Sequence, residues 1–120
     1  MFYIKCIAAI VCTLTVAAIC FLPGNELPHS PFLNFDKLVH FGIFAVLTIL
    51  WYLPFDDKKS NPWNFSIALL LITYGGIIEV VQHKWIEGRS GDVFDLIANA
   101  LGVLVVFLFF LKRNKRASKN

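Results

Sequence analysis

PWNFSIALLLITYGGIIEVVQHKWIEGRSGDVFDLIANALGVLVVFLFFL, residues 62–111, decides the fold. It holds two apolar runs, each near the roughly 20 residues that carry a helix across a bilayer, joined by a short polar connection. No strand-like alternation competes with the helical reading. The polar side chains gather at the junction. Glu79, Gln82 and His83 close the first run, and Asp92, Asp95 and Asn99 open the second.

Working outward, two more apolar runs precede this pair. One extends from Phe2 to Leu22 and is stopped by Pro23 and Gly24; the other extends from Asp36 to Leu53 and is stopped by Pro54. The expectation is an all-α, integral membrane four-helix bundle. It forms one domain over residues 1–120, with helices at 2–22, 36–53, 62–85 and 92–111 and a basic tail at 112–120. Pro62 suits a first helical position. The first run reads as a retained span rather than a cleaved signal peptide. Its positive n-region is only Lys5, and its apolar run is longer than a usual h-region.

Composition agrees. The 120 residues are 58% hydrophobic and 16% charged, with a mean hydropathy of +0.68, which leaves too little polar surface for a water-soluble domain of this size. The net charge of +3 comes largely from Lys112, Arg113, Lys115, Arg116 and Lys119. A basic tail directly after an apolar run reads as an anchor against anionic lipid, not a nucleic-acid arm. Cys6, Cys12 and Cys20 lie in the first run without CxxC spacing and read as small apolar residues.

Lys and Arg in the short loops set the expected orientation. With both termini cytoplasmic, the inner side holds Lys5, Lys58, Lys59, Lys112, Arg113, Lys115, Arg116 and Lys119, and the outer side Lys37, Lys84 and Arg89. Eight against three favours that arrangement, in a bacterial cytoplasmic membrane. Trp51, Tyr52 and Trp63 then fall at the inner interface and Trp85 at the outer one.

Nearly every ionisable or amide side chain near the apolar runs falls at the outer end of the last three helices. Asp36 and His40 are one turn apart on helix 2. On helix 3, Glu79 shares a face with Gln82, His83, Gly75 and Gly76. On helix 4, Asp92, Asp95 and Asn99 descend one stripe continued by Ala98 and Gly102. Intramembrane charge is expensive and is usually kept for function. We therefore expect helices 3 and 4 to pack along their small-residue seams, helix 2 to close the site, and Arg89 to bend back over the carboxylates. Asp36 and Asp92 also suit N-caps, and Asn99 suits interhelical bonding. Lys37, His83 and Lys84 read as snorkelling or solvated groups.

The chemistry stays open at this level. Glu79 and His40 are the acid–base candidates. Arg89 suits a phosphate or carboxylate. Glu, Asp and His can hold a divalent cation, but no zinc-type spacing such as HExxH is present. The expectation is no resident metal and no cofactor. Ser90 is the nearby hydroxyl, in a turn, so no strong nucleophile is evident. Gly88–Ser90 is similar to a triplet of lipid-phosphate phosphatases, whose other motifs are missing.

DKLVHFGIFAVL (36–47) and EVVQHKWIEGRSGDVFDLIANALG (79–102) together resemble the VanZ-like family of small membrane proteins. The resemblance rests on Asp36, Lys37, His40, Phe41, Glu79, Gln82, Arg89, Asp92, Asp95, Asn99 and Gly102, with Leu22–Gly24 after the first span. It implies cell-envelope biology, since the family's namesake is associated with resistance to the glycopeptide teicoplanin. The expected ligand-binding set is Asp36, His40, Glu79, Gln82, Arg89, Asp92, Asp95 and Asn99. Expected partners are membrane lipids and a polar head group, lipid-linked cell-wall precursor or glycopeptide, with no nucleic acid. The alternative is an enzyme acting on a lipid head group. A proton relay ranks lower, because the polar residues stop halfway down helices 3 and 4. A purely structural polar knot is the remaining reading.

Overall fold

The structure, a computed structural model, describes residues 1–22, 35–55, 61–88 and 93–119. Four α-helices follow in order: α1 Phe2–Cys20, α2 Phe35–Tyr52, α3 Asn61–Trp85 and α4 Val93–Ser118. A single 3-10 turn, Leu53–Phe55, extends α2. No strand occurs among the described residues. Each helix is long and apolar enough to cross a membrane, with mean hydropathy between 1.8 and 2.4. The bundle is elongated, 52 × 28 × 24 Å. Large apolar side chains such as Leu14, Leu70, Val105 and Phe109 cover its outside, as lipid exposure requires. The protein is a multi-pass membrane protein of four spanning helices.

The sequence accounts for most helix ends. Pro54 ends α2 by tightening it into the 3-10 turn. Pro62 lies in the first turn of α3, where a missing N–H costs nothing. One boundary differs from expectation. α4 does not stop at Leu111 but continues through the basic segment to Ser118. Lys, Arg and Ala are adequate helix formers, and Lys115 and Arg116 in the last turn complement the helix dipole.

The helices run antiparallel and place two different ends. At one end, Phe2 packs edge-on to Phe55, Phe55 on Trp63, and Tyr52 on Phe110 at ring separations of 5.8, 4.9 and 5.0 Å. We call this the aromatic end. The polar residues gather at the other end, the polar end. Tyr52 was expected as an interfacial anchor. It is instead buried, and its hydroxyl donates to the carbonyl of Asn64 at 2.9 Å.

α2 is the centre of the bundle and makes its broadest contact with α4. A Cβ on Gly102 would run into the carbonyl oxygen of Phe41 and come within 3.1 Å of the backbone nitrogen of Ala45. Backbone meets backbone there, so only glycine fits. This corrects the expected packing in part, since Gly75 and Gly76 of α3 do meet Asn99 and Leu96 of α4. The Gly102 seam of α4 faces α2, not α3. Gly75 of α3 takes the other side, with its missing Cβ 3.1 Å from the ring of Phe44 and 3.3 Å from Asn99. Phe44, on α2, therefore fills the space that the α3 glycine opens. α1 is tied on by hydrogen bonds. Thr13 accepts from Trp51 Nε1 at 2.9 Å through its hydroxyl and from Tyr74 at 2.6 Å through its carbonyl.

Candidate functional site

Three helices each deliver two polar side chains to the polar end. α2 brings Lys37 and His40, α3 brings Glu79 and Gln82, and α4 brings Asp95 and Asn99. The pairs are three or four residues apart, so each shares one helix face. The Gly102–Phe41 approach holds α4 against α2 one turn below. That contact brings Asn99 level with His40.

His40 is the hub. Its Nδ1 lies 3.1 Å from Asn99 Oδ1 and 3.9 Å from Glu79 Oε1. With the amide oxygen as acceptor, the ring proton sits on Nδ1. Lys37 Nζ lies 3.6 Å from Asp95 Oδ1 and 3.4 Å from Asp36 Oδ2. Gln82 donates through Nε2 to the carbonyl of Cys20 at 2.8 Å and so fastens the last turn of α1 to α3. Asn99 is fully buried, Gln82 and Glu79 are buried, and the His40 side chain is 14% exposed. Asn99 Nδ2 has no hydrogen-bond partner among the described residues. One ligand atom each from His40, Glu79 and Asp95 lie within 4.8 Å of one another, close enough to share a metal ion.

The predicted site residues divide accordingly. His40, Glu79, Asp95 and Asn99 meet. Gln82 adjoins them but bonds to α1. Asp36 lies in the first turn of α2, not at its cap, with its side chain 59% exposed and on Lys37 rather than on His40. Arg89 and Asp92 lie outside the described residues, as does Ser90. Sequence reasoning missed Lys37, which it took as a snorkelling group. The available signal was its place one turn before His40 and next to Asp36. His83 is exposed as expected. The three cysteines are free thiols.

Fold and site define a small multi-pass membrane protein with a polar cluster at one end of its bundle. The chain matches the VanZ/LLP1 family over residues 4–114 and belongs to that family. It is also similar to an uncharacterized protein of the fission yeast Schizosaccharomyces pombe, with 28% identity over 113 residues. That match covers 93% of this chain and 66% of the yeast protein, so the chain spans slightly less than two thirds of that relative. No solved structure matches.

Proposed function

We propose that this VanZ-family protein binds the polar head group of an amphiphile at the polar end of its bundle. The end faces outward, from a bacterial cytoplasmic membrane with both termini inside. The observation that carries the reading is the convergence of His40, Glu79, Asp95 and Asn99 from three helices in an otherwise apolar bundle. Such groups are costly in a membrane and are kept for a task. The Lys and Arg distribution supports the orientation.

The apolar surroundings support an amphiphile rather than a free polar solute. A cavity of about 290 Å³ between α1 and α2 is lined by Val16, Cys20, Gly42, Ile43 and Val46. It extends along the last turns of α1 toward the polar end of the bundle. Gly42 and Ile43 are two and three residues along α2 from His40, and Cys20 is the residue that Gln82 holds. An acyl chain in this cavity would carry its head group to the cluster. The relative in a fission yeast favours a head group common to many membranes over one found only in bacterial walls. A wall precursor or teicoplanin is the narrower form of the same reading.

The test is native mass spectrometry of detergent-purified protein titrated with phosphatidylglycerol, phosphatidylethanolamine and phosphatidylcholine. The wild type is expected to retain one lipid with a head-group preference, and Asn99→Ala and Glu79→Gln to lose that preference. Equal retention of all three lipids by wild type and variants would overturn the reading. A second reading, a head-group hydrolase, draws on the His40–Glu79 approach as an acid–base pair. It predicts that the bound lipid is cleaved on incubation and that Glu79→Gln binds without cleavage.

A further inference from the structure

We propose that His40, Glu79 and Asp95 form a binding site for a divalent first-row transition metal ion, which bridges the protein to a phosphate-bearing head group. The inference rests on the head-group reading above and names the chemistry by which that site would hold its ligand.

The donor set is one imidazole nitrogen and two carboxylate oxygens, supplied by α2, α3 and α4 and mutually within 4.8 Å. A bound ion draws nitrogen and oxygen ligands in to roughly 2.0–2.2 Å. Closing this cluster around one takes side-chain movements of about 1 Å or less. Mixed imidazole and carboxylate ligation suits manganese, iron or zinc better than calcium or magnesium, which prefer oxygen alone. The expectation of no metal rested on linear spacing. Ligands from three helices leave no such spacing, and only the packing of α2 against α4 brings them together.

A further observation points to a ligand here. Asn99 is fully buried with its amide at the cluster. Its oxygen lies 3.1 Å from His40 Nδ1, while its Nδ2 has no partner among the described residues. A buried donor of this kind costs about 1–3 kcal/mol if nothing accepts from it. A metal-bound water or a phosphate oxygen would accept. The amide oxygen meanwhile accepts the hydrogen bond from Nδ1, which leaves Nε2 as the nitrogen that would ligate. The three protein ligands, a phosphate oxygen and water would then complete an ordinary coordination shell.

Manganese is a suitable probe, because its paramagnetic resonance signal broadens on binding. The experiment uses full-length protein in nanodiscs, stripped with a chelator and titrated with Mn²⁺. The wild type is expected to bind one equivalent, and excess Zn²⁺ to displace it. His40→Ala, Glu79→Gln and Asp95→Asn are each expected to weaken binding by about tenfold or more. His83→Ala removes an exposed histidine one turn from Glu79 and is expected to leave binding within about twofold, the normal range for a residue outside a site. Variants that unfold do not rescue the idea. A wild type that takes up no Mn²⁺ overturns it alone, as does binding that His83→Ala abolishes and Asp95→Asn does not. Lipid binding measured before and after chelation separates the two proposals. Retained head-group preference in metal-free protein overturns the metal and leaves the head-group site standing. If neither metal nor any lipid is selected, both fail.

Discussion

The two ends of this bundle are made by the same helices and differ in whether the polar groups they join can carry charge. At the aromatic end and through the middle, hydroxyls donate to backbone carbonyls. Tyr52 reaches Asn64, Tyr74 reaches Thr13, and Thr48 reaches Phe44 four residues back. Each of these bonds ties a side chain to main chain and leaves no charge. At the polar end, side chains address each other across helices: His40 with Asn99 and Glu79, and Lys37 with Asp95. A lone buried amide is not what separates the ends, since Asn64 Nδ2 near the aromatic end also lacks a partner among the described residues. The difference is that Asn99 stands among ionisable groups and Asn64 among aromatic ones. An uncharged knot can serve stability alone. A cluster of carboxylates, imidazole and ammonium is costlier to hold in lipid, and the proposed head-group site gives that cost a use.

The sharpest way to break the comparison is to remove the contact that both ends share. Gly102→Leu puts a side chain against the Phe41 and Ala45 backbone, which cannot yield. It is expected to destabilise the bundle by about 3 kcal/mol, the upper part of the range for overpacking. Unfolding in a detergent–SDS titration would measure it. A variant as stable as wild type would show that α2 and α4 do not meet as described. Head-group binding should fall along with stability, because Asn99 and His40 lose their common level.

Variants at each end should then separate stability from binding. Tyr52→Phe removes the hydroxyl that satisfies the Asn64 carbonyl and is expected to cost about 1 kcal/mol without altering head-group preference. Glu79→Gln is expected to cost about as little or less, since polar contacts in membrane bundles average only about 0.6 kcal/mol, yet to abolish the preference. Teicoplanin and vancomycin susceptibility of a Gram-positive host expressing either chain tests the narrower reading. Teicoplanin tolerance with the wild type and not with Glu79→Gln is the expected pattern if the ligand belongs to the wall. Equal protection by both chains would mean that the effect does not run through the carboxylate.

Gly42→Leu asks whether the apolar cavity belongs to the site. A Cβ at Gly42 meets nothing within 4 Å, so the added side chain can enter the cavity without moving α1. Stability should change by less than about 1 kcal/mol, as cavity filling without strain does. Retained lipid should fall severalfold by native mass spectrometry. Unchanged lipid retention would place the acyl chain elsewhere, such as the aromatic-end cavity lined by Trp51, Trp63 and Tyr74.

These expectations mark what the chain discloses unaided. The four spans were legible, because a bilayer demands about 20 apolar residues and little else. The gathering of His40, Glu79, Asp95 and Asn99 at one end was legible from helical spacing. The pairing was legible only in part, since Gly75 and Gly76 meet α4 as expected but Gly102 meets α2. Gly75, Gly76 and Gly102 show that helices come close without showing which helix each one meets. That depends on Phe44, which fills the Gly75 side and leaves Gly102 to the α2 backbone. Lys37 was missed for a related reason. A lysine near a span end snorkels by default, and only the approach of α4 gives it Asp95.

The smallest expected effect tests where the site stops. Asp36 belongs to the motif by which the chain resembles its family, yet its side chain is more exposed than any other carboxylate drawn into these contacts. Asp36→Asn removes an exposed ion pair with Lys37, worth well under about 1 kcal/mol. It leaves the Lys37–Asp95 contact in place. Stability in detergent should stay within about 0.5 kcal/mol of wild type, with head-group preference retained. A loss of preference without a loss of stability would mean that the ligand reaches past His40 to the mouth of the bundle. Asp36 and Lys37 would then act on it as a pair, and the boundary between buried cluster and exposed rim would have to be drawn one helical turn further out.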